Sequence, residues 1–160
     1  MRKGCIAIIA ILFFLPVFSQ THEIVKHNGE KIGVNYNKLQ QDVISFYFPS
    51  SLEENKISKY AVHSITNKAT GSTQIISSKI DIKDKNGFRD IVFLKESETA
   101  GLKKGEAISV FFGRTKGFSD YDLVTMKKRR LQEKAAQKGS PFLVITSESY
   151  DETKAVLYYY

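Results

Sequence analysis

The feature that most constrains this chain is how often it turns. Between Glu23 and Leu94, short apolar or β-branched runs are broken by turn signals at roughly 8–12-residue spacing, the spacing expected of small all-β units. The text "EIVKHNGEKIGV" sets Asn28-Gly29 between two such runs, and Asn-Gly supplies the paired positive-φ residues of a type I′ hairpin turn. "DVISFYF" follows, apolar on both faces and therefore a central strand, ended by Pro49 and "SSLEEN". "KISKYAVHSIT" reads as one or two strands and "KATGST" as a turn. Residues 79–85 alternate, with Ile80 and Ile82 on one side, as a half-buried strand; Asn86-Gly87 then reads as a second turn before "RDIVFL". About six short strands so arranged predict an N-terminal β-meander, small and barrel- or sandwich-like.

The pattern changes after Leu94. Residues 95–104 are polar and turn-like, a candidate linker, and "AISVFFG" from Ala107 to Gly113 is a compact strand. Asp120 to Lys138 is the one clear helix: Ser119 can cap it, Asp120 and Asp122 suit its first turn, and Gly139 with Pro141 stops it. Tyr121, Val124, Leu131 and Ala135 fall on its apolar stripe. "PFLVIT" and "KAVLYYY" are further strands, the second with Val156, Tyr158 and Tyr160 on one face. The predicted class is α+β: a β-rich module over 20–94 and a β-α-β-β unit over 105–160 with one main helix packed on a sheet, the two modules folding separately or around one core.

Residues 1–19 have the layout of a signal peptide: Arg2 and Lys3, an apolar run from Cys5 to Phe18, and a cut expected after Ser19. The run is short and holds Pro16, which argues against a retained transmembrane helix. Cys5 precedes the run, so it is not placed for lipid attachment at the cut and leaves with the leader. The expectation is export to the periplasm, the outer envelope or the exterior. The remaining chain holds no cysteine, which excludes disulfides, thiolate metal sites and a cysteine nucleophile. Its net charge falls from +7 to +5 as Arg2 and Lys3 depart. A mildly basic exported protein meets envelope proteins, glycans or anionic lipid surfaces; nucleic acid is not an expected partner there.

No HExxH, CxxC, GxSxG, phosphate loop or EF-hand spacing is present, so no cofactor is implied. His63 stands beside Ser64, but strand neighbours point to opposite faces. His22 and His27 make a poor metal pair for the same reason. Cleavage after Ser19 would place His22 third in the chain, and the amine of Gln20, the amides of Thr21 and His22 and the imidazole together suit square-planar Cu(II) or Ni(II). Glu53-Glu54 and Glu96/Glu98 lie in loops without the apolar surroundings that raise a catalytic pKa. Phe46 to Phe48, Phe111-Phe112 and Tyr158 to Tyr160 are core candidates, with an exposed aromatic ledge as the alternative. Lys127, Lys128, Arg129 and Arg130, with Lys134, are the candidate anion- or partner-binding residues, although four consecutive positions step right round a helix. The reading is a non-catalytic exported binding or assembly module. Its alternatives are an anion- or lipid-surface module using the basic helix and an enzyme acting on envelope polymers.

The segment from Ala107 to Thr146, a strand, a helix ending "LQEKAAQKGSP" and the strand "FLVIT", resembles small exported α/β domains of the heavy-metal-binding-like fold and the outer-membrane stress-sensor lipoproteins of enteric bacteria. The front half, with "KHNGEKIGV", "DVISFYFP" and "ISKYAVHSI", is similar to small secreted Gram-negative proteins of unknown function in which a lysine-asparagine-glycine hairpin opens a β-rich module. The resemblance implies a shared fold. The sensor domains carry disulfide-forming cysteines that this chain lacks, so redox sensing does not come with it.

Overall fold

The computed structural model describes residues 20–112, 117 and 119–160; the expected signal peptide lies outside them. The described residues form two sheets and one main helix, an α+β arrangement dominated by strands. The first sheet contains β1 (His22–Lys26), β2 (Lys31–Gln40), β3 (Val43–Tyr47), β4 (Glu54–Ser58), β5 (Val62–Asn67) and β6 (Thr73–Ile75), in the antiparallel order β4-β3-β2-β1-β5-β6. After four strands of meander, a single 3-10 turn, Lys59–Ala61, carries the chain from the edge strand β4 to the far side of β1. Ile24, Val34, Ile44, Phe46, Ile57, Val62 and Ile65 turn to one side and form the first core.

The turn chemistry differs from the sequence expectation at two hairpins. In the β1–β2 connection only Gly29 has positive φ (88°). The Gly29 N–H donates to Lys26 O at 3.0 Å and the Lys26 N–H to Glu30 O at 2.9 Å. This is a three-residue loop with glycine in its left-handed position, not a type I′ turn. The paired positive-φ residues are instead Gln41 (47°) and Asp42 (67°), which join β2 to β3 with Gln40 opposite Val43. Asp42 is held there from outside: its carboxylate takes Lys59 Nζ at 2.6 Å and its carbonyl accepts the Lys59 N–H at 2.8 Å.

Residues 79–85 form no strand. The Ile80 N–H is taken by the Tyr160 hydroxyl at 2.7 Å, and Ile80 and Ile82 pack into two different clusters of the second sheet. Asn86-Gly87 is not a hairpin turn either, because Asp84 Oδ1 accepts the Asn86 N–H at 2.7 Å and caps a 3-10 turn over Lys85–Asp90. "RDIVFL" then supplies β7 (Val92–Phe93), which runs parallel to a strand of the second sheet rather than extending the first.

The second sheet has the order β7-β9-β10-β8, with β8 (Lys103–Phe111), β9 (Phe142–Glu148) and β10 (Glu152–Tyr159). Helix α1 (Asp120–Gln137) follows β8 and packs Leu131, Ala135 and Ala136 against Ile108, Val110, Leu143, Ala155 and Leu157. The other face of β9 and β10 shows Phe142, Val144 and Tyr158, which with Leu94 meet Tyr60, Ile80 and Leu102. Strands covered on both faces read as unbroken apolar runs, as "FLVIT" does. The change of sheet falls between Ile75 and Val92, ahead of residues 95–104, and that segment is packed rather than slack. Ala100 O accepts the Ser58 N–H at 2.7 Å. Gly101, at φ +83°, lies so close that an added Cβ would stand 2.6 Å from Ile57 Cγ1.

Ser119 and Asp122 cap α1 reciprocally, as its sequence signals require. Its buried face is Leu123, Lys127, Leu131, Ala135 and Ala136, whereas Tyr121, expected inward, is 80% exposed. No helix of the described residues is long and apolar enough to cross a membrane.

Candidate functional site

The basic run of α1 does not form a surface. At 100° per residue Lys127 and Lys128 lie about 40° and 60° to either side of Leu131, so either could border the apolar stripe. The backbone of the β9–β10 turn decides between them. Lys127, only 3% exposed, donates from Nζ to Ser149 O at 2.7 Å and Tyr150 O at 2.6 Å. Lys134 donates to Ser109 O on β8 at 2.6 Å. Arg129 pairs with Glu133 at 3.1 Å and lies 5.4 Å from the Phe88 ring centroid, while the Arg130 guanidinium stacks 4.3 Å from Phe112. Lys128 and Arg130 have no hydrogen-bonding or ionic partner among the described residues, and Lys128 lacks an aromatic contact as well.

A different set of lysines does share one surface. The register of the first sheet sets Lys38 opposite Ser45 and Ser45 opposite Lys56, so β2, β3 and β4 present one transverse row. A register shift between Tyr36 and Lys38 turns Lys38 onto the face away from the core. With strands about 4.8 Å apart, the two lysine backbones stand about 10 Å apart on either side of the serine. Lys95 reaches the same place from the segment preceding the 3-10 turn Glu96–Glu98. These residues line an open groove of ≈ 320 Å³, extended by Gln40 and Gln41.

Two carboxylates share the groove with the three lysines. Glu54 Oε1 accepts from the uncharged Asn37 amide, Nδ2, at 3.1 Å. Glu98, 8% exposed, accepts the Lys95 N–H at 2.9 Å and leaves Lys95 Nζ 3.9 Å from its other oxygen. Lys38 and Lys56 have no ion pair among the described residues. The register sets Lys38 and Lys56 on either side of Ser45, itself only 6% exposed, and ammonium groups from these positions and from Lys95 are donors of the kind that meet a phosphate or carboxylate oxygen.

The histidines separate as expected in one case and meet in another. His63 is exposed and Ser64 buried, and the ladder to β1 passes from Ser64 straight to Val62, so His63 falls at a bulge where strict alternation breaks. His22 bonds through Nδ1 to Thr21 Oγ1 at 2.8 Å and stacks on Tyr36. His27 lies elsewhere, with its Nε2 2.8 Å from Ser77 Oγ. Ser77 Oγ donates its single proton to Val62 O at 2.8 Å, so toward His27 it accepts, and His27 carries its hydrogen on Nε2. Burial first, then the charges of His63 and Lys79, hold the His27 pKa below its ordinary value. The expected amino-terminal copper site competes with the fold: the Thr21 N–H donates to Asn35 Oδ1 at 3.2 Å, His22 opens the β1 ladder, and Gln20 Oε1 takes Lys68 Nζ at 2.6 Å.

The aromatic candidates divide. Phe46, Phe112 and Tyr158 are buried, whereas Phe48 and Phe111 are exposed, and these two lie at the margins of different sheets rather than on one ledge. Comparison with known proteins finds no family that matches the chain, no curated protein similar to it and no similar solved structure.

Proposed function

We propose that the chain is an exported, non-catalytic binding module of the cell envelope whose ligand surface is the lysine groove of the first sheet. Its ligand class is an anionic glycan, a polymer bearing phosphate or carboxylate groups. The observation that carries the reading is the row Lys38–Ser45–Lys56 with Lys95 beside it: two lysines without ion pairs among the described residues, set by strand register on either side of a hydroxyl, and a third whose carboxylate partner stands 3.9 Å away. A recessed groove edged by amide and hydroxyl side chains suits a chain with both charge and hydroxyls better than it suits a flat bilayer. The basic helix supports the anion-binding alternative less well, since three of its five candidate cations point at their own backbone or at one another's neighbours. In this reading the first sheet is the small barrel-like binding module and β8-α1-β9-β10 is the β-α-β-β unit that braces it.

The test is binding of a soluble phosphorylated glycan, a carboxylated glycan, a neutral glycan and anionic vesicles, each at low and at 0.5 M salt. Salt-sensitive binding of the charged glycans, lost in the variant Lys38→Gln/Lys56→Gln, is expected. Binding to vesicles alone would move the ligand to the lipid headgroup, and equal binding of the neutral glycan would sink the electrostatic reading.

A further inference from the structure

A second site lies on the opposite flank of the first sheet, around His27. The His27 N–H donates to Ala61 O at 3.1 Å, which fixes its backbone beside the start of β5 and brings its ring within 5.5 Å of the His63 ring, at an interplanar angle of 59°. Because Ser77 accepts the Nε2 hydrogen, neutral His27 keeps its lone pair on Nδ1, and that nitrogen has no hydrogen-bond partner among the described residues. A ring N–H anchored to an oxygen, with the other nitrogen left open, is the arrangement that orients metal-ligating histidines. His63 is exposed and makes no side-chain hydrogen bond among the described residues, so its ring can turn a nitrogen toward the same point.

We propose that His27 and His63 form a two-imidazole site for a borderline divalent transition ion, Cu(II), Ni(II) or Zn(II), with water completing the coordination. The spacing fits. With metal–nitrogen bonds of about 2.0–2.1 Å each ring centroid lies about 3.2 Å from the ion, and two tetrahedrally disposed imidazoles then have centroids about 5.2 Å apart. The observed 5.5 Å needs only a slight opening of that angle for Zn(II), and the tetragonal arrangement that Cu(II) and Ni(II) prefer, with cis centroids about 4.5 Å apart, is reached by turning the exposed His63 ring. No group of three or more His, Cys, Asp or Glu suited to a metal occurs among the described residues, so the site rests on two protein ligands and is open. Lys79 stands nearby, drawn over the Tyr160 ring at 5.6 Å, and its charge opposes the ion. The site is separate from the lysine groove and stands or falls without it.

The experiment adds Cu(II) to the exported chain carrying His22→Gln, which removes the amino-terminal competitor, and reads electron paramagnetic resonance and calorimetry. One equivalent bound, with hyperfine structure from two nitrogens, is expected. His63→Gln, an exposed position that leaves the fold intact, weakens binding at least tenfold, His27→Gln does the same, and Lys79→Gln tightens it. Unchanged affinity in His63→Gln, or no binding at one equivalent, overturns the proposal.

Discussion

Two groups of cations in this molecule behave in opposite ways. Lys127 to Arg130 are neighbours in sequence and part company in space: one is buried against the β9–β10 turn, and the three exposed ones diverge, two against different aromatic rings and one with no such contact. Lys38, Lys56 and Lys95 are far apart in sequence, yet the sheet register and one 3-10 turn bring them to a single groove. The difference follows from geometry. A helix disperses consecutive residues around its axis, whereas a sheet gathers residues from separate strands into rows. A run of like charges is therefore weak evidence for a surface, and isolated lysines on paired strands can make one.

The largest effect that separates the two groups should come from Lys127. Lys127→Met keeps the stem's packing but leaves two carbonyls without their charged donor, and charge-assisted hydrogen bonds of this kind contribute about 1.5–3 kcal/mol. Urea unfolding should show a loss of about 2 kcal/mol, against less than about 0.5 kcal/mol for Lys128→Met one residue on. Equal effects would mean that Lys127 is as solvated as its neighbour.

A smaller effect should appear with pH at the seam where His27 meets Tyr160, whose rings lie 4.8 Å apart. The His27 pKa is lowered in the fold, so between the unfolded value of about 6.5 and the folded one the unfolded chain binds more protons. Stability should thus be fully present above about pH 6.5 and fall as acid is added, in metal-free buffer. Tyr160 works in the other direction: burial raises its phenol, so its contribution is present below about pH 10 and lost as pH rises further. His27→Gln should flatten the acid limb and leave the alkaline limb in place; an unchanged acid limb would assign it to other groups.

The smallest effect concerns the turn that sets the lysine row. Gln41 occupies a left-handed position that asparagine tolerates better. Gln41→Asn should stabilise by about 0.5 kcal/mol, read as a higher urea midpoint with unchanged slope. A destabilised variant would show that the Gln41 side chain is needed in the groove it borders.

That turn also marks what could be read from the sequence. The helix was legible because Ser119, Asp122, Gly139 and Pro141 act locally, and its boundaries depend on nothing distant. The aromatic alternation of Val156, Tyr158 and Tyr160 was legible for the same reason. The sequence favours a type I′ turn at Asn28-Gly29, and the paired positive-φ residues occur instead at Gln41-Asp42, where Lys59 fixes Asp42 from another part of the chain. Counting back from that two-residue turn along β2 and β3 places Lys38 opposite Ser45. Residues 79–85 misled because alternation marks which side is apolar, while strand formation needs a hydrogen-bonding neighbour, and here a tyrosine hydroxyl takes the place of one. The burial of Lys127 is not legible in the helix sequence, because its partners are carbonyls of a turn more than twenty residues away.

The central claim is that the groove, not the helix, is the anion site. One titration tests it: a phosphorylated glycan followed by amide NMR shifts in three proteins, the parent chain, Lys38→Gln/Lys56→Gln/Lys95→Gln, and Lys128→Gln/Arg129→Gln/Arg130→Gln. Both variants remove three positive charges, so their effect on net charge is the same. The predicted result is shifts centred on Ser45, at least tenfold weaker binding in the groove variant, a loss of about 1.4 kcal/mol or more, and binding within about twofold of the parent in the helix variant. Equal weakening in both variants, or loss in the helix variant alone, would contradict it.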